Sequence, residues 1–160
     1  MKDEIIDCLA YNGKVSIKCI SSRKIVEKAR KLHDLSPTAS AALGRLLTIT
    51  SIMGYELKTE EASITNQIKG NGPIGILTAV ADSNGNVKGY VGDGKVDLPL
   101  RKSDGKLDVG GAVGNALVCL FGVINYCPHG GFIVLPAITG KLGYIVAVVV
   151  GSLITALMVN

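Results

Sequence analysis

The sequence predicts an α+β fold in which antiparallel strands pack with two helices, followed by a hydrophobic helical appendage. Apolar residues alternate with polar ones in several short segments and recur at helical spacing in two longer ones. The charged residues are unevenly distributed along the chain. Of the 17 basic and 13 acidic residues, all except Lys141 lie in residues 1–108. We therefore expect two regions, residues 1–109 with an ordinary soluble composition and residues 110–160 with a membrane-like one.

Residues 4–20 are predicted to form a β-hairpin. The pair Asn12-Gly13 is typical of a type I′ turn. Beyond it, Val15, Ile17 and Cys19 alternate with polar residues, which predicts a strand that buries these three side chains.

Two helices are predicted next. The first, residues 22–34, has one apolar stripe made of Ile25, Val26, Ala29, Leu32 and His33. In the second, Ser36 fits the N-cap, Pro37 the first helical position and Gly54 the C-terminal stop. Arg45 is the only charge in its body, so we expect an aliphatic stem packed on the helix and a solvated guanidinium. A specific ion pair is the alternative for Arg45.

Short strands follow. In the first, Ile64, Asn66 and Ile68 alternate with Thr65, Gln67 and Lys69. Residues 74–81 form a nearly continuous apolar run, and residues 87–91 return after a turn at 82–86. Residues 96–100 alternate again, although Pro99 would confine that strand to a sheet edge.

The C-terminal region has the length needed to cross a bilayer. Residues 142–160 carry no charge over 19 positions, close to the roughly 20 apolar residues of a transmembrane helix, and residues 110–126 are a weaker candidate. The alternative is a buried hairpin of a soluble core. The start of the chain lacks the apolar run of a secretory signal. We expect a cytoplasmic protein, with membrane association through residues 142–160 as the alternative.

Catalytic and metal sites have no support in the sequence. The two histidines, His33 and His129, have no nucleophile in a recognisable setting, so no catalytic residue is assigned and no enzyme is expected. The cysteines form no Cys-x-x-Cys pair, which predicts no metal and no cofactor; they are Cys8, Cys19, Cys119 and Cys127. The net charge of +4 comes from interspersed signs, which argues against a nucleic-acid partner.

Several segments of the first region carry a family resemblance. They are residues 9–13 (LAYNG), 33–34 (HD), 37–45 (PTASAALGR), 72–75 (GPIG), 85–91 (GNVKGYV) and 105–109 (GKLDV). In this order and spacing, residues 1–109 resemble the front half of the substrate-binding domain of the redox-regulated 33-kilodalton heat-shock chaperonin.

The second region has a different resemblance. Its segments are residues 110–117 (GGAVGNAL), 120–122 (LFG), 128–131 (PHGG) and 151–157 (GSLITAL). Residues 110–160 are similar to the C-terminal end of the fructose-type phosphotransferase-system permease, its IIC membrane component. Together the two resemblances imply a fusion whose junction lies within residues 109–114.

The chaperonin resemblance implies an ATP-independent holdase that binds unfolded client proteins through apolar surface. In that family, oxidation of a four-cysteine zinc module exposes this surface. The Cys-x-Cys and Cys-x-x-Cys ligands are missing here, so we expect a holdase fragment without zinc or a redox switch, with client-contact residues unassigned. Uncovered sheet edges also favour self-association. The alternatives are a membrane component of a sugar phosphotransferase transport system and a non-functional fusion of two fragments.

Overall fold

The computed structural model describes residues 3–12, 14–123 and 137–138. In chain order the elements are β1 Glu4–Ala10, β2 Val15–Ser21, α1 Arg23–His33, α2 Pro37–Tyr55, β3 Ser63–Gly70, β4 Ile76–Asp82, β5 Val87–Val91, α3 Val109–Val113, β6 Ala116–Val123 and β7 Ala137–Ile138. The predicted combination of antiparallel strands with two principal helices is confirmed for the described residues.

The strands form two separate sheets. β1 and β2 make a two-stranded hairpin, and the other five form an antiparallel sheet in the order β5-β4-β3-β6-β7. Helix α2 lies against β4 and β5 of the larger sheet, and α1 packs on α2. Leu43 and Leu47 of α2 meet Ile74 and Leu77 in a core from which water is excluded.

Helix α2 begins as predicted. Ser36 is the N-cap, and its Oγ accepts a hydrogen bond from the Ala39 backbone N–H at 3.1 Å while Pro37 occupies the first turn. The predicted stop at Gly54 is wrong, because the helix continues to Tyr55. A Cβ at Gly54 would lie 2.4 Å from the Asp82 carbonyl oxygen, so this glycine allows the end of α2 to approach β4.

Strand β3 faces the core with the side that its alternation predicts. Ile64 and Asn66 are buried. The Asn66 amide donates to Thr50 Oγ1 at 2.8 Å, and that hydroxyl donates to the Leu46 carbonyl at 2.7 Å. The buried amide is therefore paired, and it joins the sheet to α2.

Residues 110–126 contradict the prediction of a membrane helix in the part that is described. The short helix α3 ends at Gly114, whose φ is +71°, and residues 116–123 form β6, which pairs with β3 from Gly70↔Ala116 to Ser63↔Val123. A strand inside a sheet can be a continuous apolar run, which composition alone does not separate from a helix. No helix in the described part of the chain is long and apolar enough to span a bilayer. The candidate at residues 142–160 lies outside the described residues.

The predicted edge strand at residues 96–100 is also absent from the structure. The chain between β5 and α3 instead follows turns, with the Arg101 N–H bonded to the Lys106 carbonyl and the Gly105 N–H bonded to the Arg101 carbonyl. Val96 and Leu98 still pack against the core. The alternation of residues 96–100 therefore indicates that one side of the segment is buried. The segment lacks the ladder of hydrogen bonds that defines a strand.

Candidate functional site

One face of the β1–β2 hairpin is apolar from its tip to Ile6 and Cys19, and the polar pair Glu4 and Ser21 lies at its far end. Its register pairs Ile6 with Cys19, Cys8 with Ile17 and Ala10 with Val15. Side chains on alternate positions of paired strands share a face, so these six lie together. We call this surface the outer hairpin face; it consists of Ile6, Cys8, Ala10, Val15, Ile17 and Cys19.

The outer hairpin face is exposed, which reverses the sequence prediction. Val15, Ile17 and Cys19 were expected to be buried, yet Ile17 is 46% exposed and Ile6, opposite on β1, is 56% exposed. The alternation of β2 is predicted correctly, but its apolar side faces solvent instead of the core. The matching apolar positions of β1, taken with the register that the turn implies, are the signal in the sequence that could have revealed this surface.

The opposite face holds the hairpin on the body, and it mixes polar residues with the apolar side chains Ile5, Leu9 and Ile20. Lys18 pairs with Asp7 on β1 at 2.5 Å and with Glu56, just after α2, at 2.7 Å. The Lys18 side chain is only 17% exposed, and its hydrogen bond to Asp7 lowers the pKa of that carboxyl. A charged residue therefore faces the body because two carboxylates receive it there.

A second attachment comes from the start of β1. The Asp3 carboxylate accepts hydrogen bonds from the backbone N–H groups of Lys24 at 3.0 Å and Ile25 at 2.7 Å. Ser22, directly before α1, makes no capping bond, and its hydroxyl is instead 2.7 Å from the Thr48 hydroxyl. Asp3 thus fills the capping role from outside the helix, which fixes the hairpin against α1 and α2.

The turn of the hairpin departs from the predicted pair of residues. Positive φ occurs at Tyr11 (51°) and Asn12 (55°), and the Lys14 N–H bonds to the Tyr11 carbonyl at 3.2 Å. Asn12 therefore has the predicted conformation, whereas Gly13 lies outside the described residues. The register Ala10↔Val15 leaves a connection of residues 11–14 at the exposed tip.

A groove of about 700 Å³ lies beneath the hairpin, between it and α1. Apolar side chains from the hairpin, both helices and β5 line it, among them Ile5, Ile20, Ile25, Ala29, Leu47 and Val87. Leu32 and His33, predicted as part of a packed stripe, also line the groove but are exposed. An exposed apolar surface thus borders the hairpin on two sides.

Arg45 has the solvated position that the sequence predicts. Its side chain is exposed, and no ion pair to it occurs among the described residues. The alternative, a specific ion pair, is not seen in this part of the chain.

The described residues do not fit a zinc site. Cys8 and Cys19 are exposed on the outer hairpin face, whereas Cys119 is buried on β6 in the other sheet. Nowhere in residues 3–12, 14–123 and 137–138 do three His, Cys, Asp or Glu side chains come together to hold a metal ion. Cys127 and His129 lie outside these ranges.

The perturbed acids of the described residues belong to surface pairs and turns. A hydrogen bond from Arg30 lowers the pKa of Glu27 to about 2, and one from Lys95 lowers the pKa of Asp34. Asn86 lowers the pKa of Asp82 in the same way within a turn. Each of these pKa shifts is thus explained by a surface ion pair or by a hydrogen bond within a turn.

Comparison with known proteins gives a consistent result for most of the chain. The family model for the Hsp33 protein matches residues 3–135. A 33 kDa chaperonin from Alkaliphilus metalliredigens is 50% identical over 115 residues, which are 72% of this chain and 39% of that protein. A 33 kDa chaperonin from a Thermoanaerobacter species is 43% identical over 145 residues, which are 89% of this chain and 48% of that protein.

A solved structure has the same fold. The crystal structure of a 33 kDa chaperonin from Thermotoga maritima matches with a TM-score of 0.76 at 33% identity, over 84% of this chain and 44% of that one. The chain therefore spans less than half the length of these relatives.

The resemblance of residues 110–160 to a permease is not supported. The family match continues through residue 135, and the strand pairing places residues 116–123 in one sheet with residues 63–91. The division of the chain into two units at residue 109 stays a prediction.

Proposed function

Because this chain belongs to the Hsp33 family, we propose that it is a holdase-type chaperone that binds unfolded polypeptides through the outer hairpin face. The observation that carries the proposal is the outer hairpin face, where five of six side chains on one side of a two-stranded sheet are exposed and Ala10 is half-buried. A contiguous apolar surface in water marks a site of interaction.

The chemistry of this face suits an unfolded partner. Burial of apolar surface is non-directional and contributes about 1.5–3 kcal/mol for each fully buried Ile or Val side chain. A face without hydrogen-bonding side chains therefore accepts many apolar sequences instead of one. The ion pairs of Lys18 and the carboxylate of Asp3 keep the surface in place while it is uncovered.

The proposed activity needs neither a cofactor nor a catalytic step. We propose binding of unfolded or misfolded proteins without zinc, without a redox switch and without a nucleic-acid partner. A cytoplasmic location fits the composition of residues 1–108, which hold 29 of the 30 charged residues. Self-association through the same apolar face would compete with clients, because both occupy one surface.

Aggregation of a heat-unfolded client tests the proposal. Light scattering of the client is followed with increasing amounts of the 160-residue chain and of a double variant, Ile6→Ser with Ile17→Ser. We expect the unchanged chain to suppress scattering and the double variant to lose most of that suppression, because two central apolar contacts become polar. The expected thermal stability of the variant is close to that of the parent, since both side chains are exposed.

Tyr90→Ser is the matched control. Tyr90 is 58% exposed, comparable to Ile6, but lies on β5 in the other sheet. We expect this variant to suppress aggregation like the parent. Absence of suppression by the parent chain at excess contradicts the holdase proposal and favours the non-functional alternative. Equal suppression by parent and double variant contradicts the assignment to the outer hairpin face.

A further inference from the structure

Helix α2 is partly uncovered on its side opposite the sheet. Its 19 residues contain one charged side chain, Arg45, which is exposed. Gly44 next to it allows close packing of α1, since a Cβ there would lie 2.8 Å from a Val26 methyl carbon. The guanidinium therefore stands beside the seam between the two helices, at a place where the rest of the surface is apolar.

Two grooves meet at Arg45. One, of about 410 Å³, follows the seam between α1 and α2 and is lined by Val26, Ala41, Ile49 and Ile52 among others. The other, of about 440 Å³, lies between α2 and residues 100–110 and includes Leu100 and Leu107. Arg45 lines both grooves, so the two adjoin at its side chain and form one path, which is apolar along the first groove and mixed along the second.

The charge along this path has one sign. Arg101 and Lys106 join Arg45 in the second groove, and no carboxylate lines either groove. Arg101 is bound to Asp104 at 2.6 Å, whereas no ion pair to Arg45 or Lys106 occurs among the described residues. The path is therefore complementary to an anion that is attached to apolar groups.

We propose that this path, the Arg45 groove, binds polypeptide segments in which apolar side chains flank a carboxylate. The carboxylate receives the Arg45 guanidinium, whose planar fork suits a two-point hydrogen bond, and the apolar side chains of the segment lie along the first groove. The inference rests on the proposed function and defines one class of client, an acidic apolar segment. The outer hairpin face selects for apolar character alone, whereas the Arg45 groove adds a preference for charge.

Matched peptides test this preference. Two fluorescent apolar peptides that differ only in a central Glu or Gln are titrated with the 160-residue chain, and anisotropy gives the two dissociation constants. We expect the Glu peptide to bind about threefold to fivefold more tightly at low salt, which is the range of an exposed ion pair. Added salt should reduce the preference, since exposed charges are screened.

Variants of the chain complete the design. Arg45→Gln should lose most of the preference for the Glu peptide, because only Lys106 and Arg101 remain on the path. Arg45→Glu, made together with Lys106→Gln, should instead prefer a peptide with a central Lys. Lys58→Gln is the control, because Lys58 is an exposed lysine outside both grooves, and it should keep the preference for Glu. The reversal by Arg45→Glu excludes a general loss of folding as the cause.

The outcomes separate the two proposals. Equal binding of the Glu and Gln peptides by the parent chain, or a Glu preference that is undiminished in Arg45→Gln, overturns the Arg45 groove. Either result leaves aggregation suppression by the outer hairpin face intact. Failure of the parent chain to suppress aggregation overturns the holdase proposal, even where the peptides bind as expected.

Discussion

The β1–β2 hairpin and the layer formed by α2 and β4 use the same kinds of residue in opposite ways. In the layer, Leu43 and Leu77 lie between a helix and a five-stranded sheet and are almost completely buried. In the hairpin, Ile6 and Ile17 lie on a two-stranded sheet whose apolar side has no second layer among the described residues. Whether an apolar side chain is buried thus depends first on whether another layer packs against it, and only second on how apolar the side chain is.

The two regions are also held by different forces. The layer is stabilised by close packing of apolar side chains, which carry no titrating group. The hairpin is attached by Lys18, Asp7, Glu56 and the Asp3 carboxylate, which are charged groups. This contrast leads to three predictions, ordered from the largest expected effect to the smallest.

Leu43→Ala should destabilise the layer by about 2–5 kcal/mol, because Leu43 is 0% exposed and its removal leaves a cavity. Urea unfolding monitored by circular dichroism measures the loss. Leu32→Ala is the control: this leucine is 73% exposed, and we expect a change within about 0.5 kcal/mol. Similar losses in both variants would mean that packing does not distinguish these two surfaces.

Gly54→Ala should destabilise the same layer by about 1–3 kcal/mol. The new Cβ would lie 2.4 Å from the Asp82 carbonyl oxygen and 2.6 Å from the Ala81 Cβ, so α2 and β4 must separate. Thermal unfolding measures the effect, and Gly110→Ala serves as control because its Cβ would meet only Asp108 Oδ1 at 3.9 Å. A neutral Gly54→Ala would contradict the close approach of α2 to β4.

Acid should loosen the hairpin before the layer. The pKa of Asp7 is lowered from 3.8 by the hydrogen bond from Lys18, so its contribution to stability is complete above about pH 3.8 and is lost as pH falls through the lowered value. Amide exchange at about pH 5 and pH 2.5 should show reduced protection at Lys18 while Leu47 stays protected. We expect this change to be smaller than either substitution in the layer.

Asp7→Asn is the variant that tests the cause. It lacks the titrating carboxyl, so the protection of β2 should be lower at pH 5 and should vary less with pH. Protection of β2 in the parent chain that is unchanged down to pH 2.5 would show that the ion pair does not hold the hairpin.

Local signals in the sequence predicted local structure well. The N-cap at Ser36 and Pro37 depends on the chemistry of one helical turn, and the alternation around Asn66 depends on one strand. Such local signals do not predict which elements of the fold pack against one another. Which face of the hairpin packs on the body depends on Glu56, which is distant in sequence. The role of Gly54 depends on the close approach of Asp82.

Strand β6 illustrates the same limit on a larger scale. Its eight residues contain no charge, so their composition suits a membrane helix and an interior strand equally. Residues 116–123 form a strand because they pair antiparallel with β3 along its whole length, from Gly70 to Ser63. For the functional surface, the apolar positions were visible in the sequence, while their exposure was set by packing elsewhere.

The bond from Asp3 to the start of α1 has a consequence for the order of folding. A helix of 11 residues is too short to persist alone in water, because closing its first turn is entropically unfavourable. The acceptor that completes this turn lies 21 and 22 positions earlier in the chain, on the far side of the hairpin. Closure of β1 on β2 and nucleation of α1 are therefore parts of a single cooperative step. The surface proposed to receive unfolded chains would thus assemble together with the first helix of the protein.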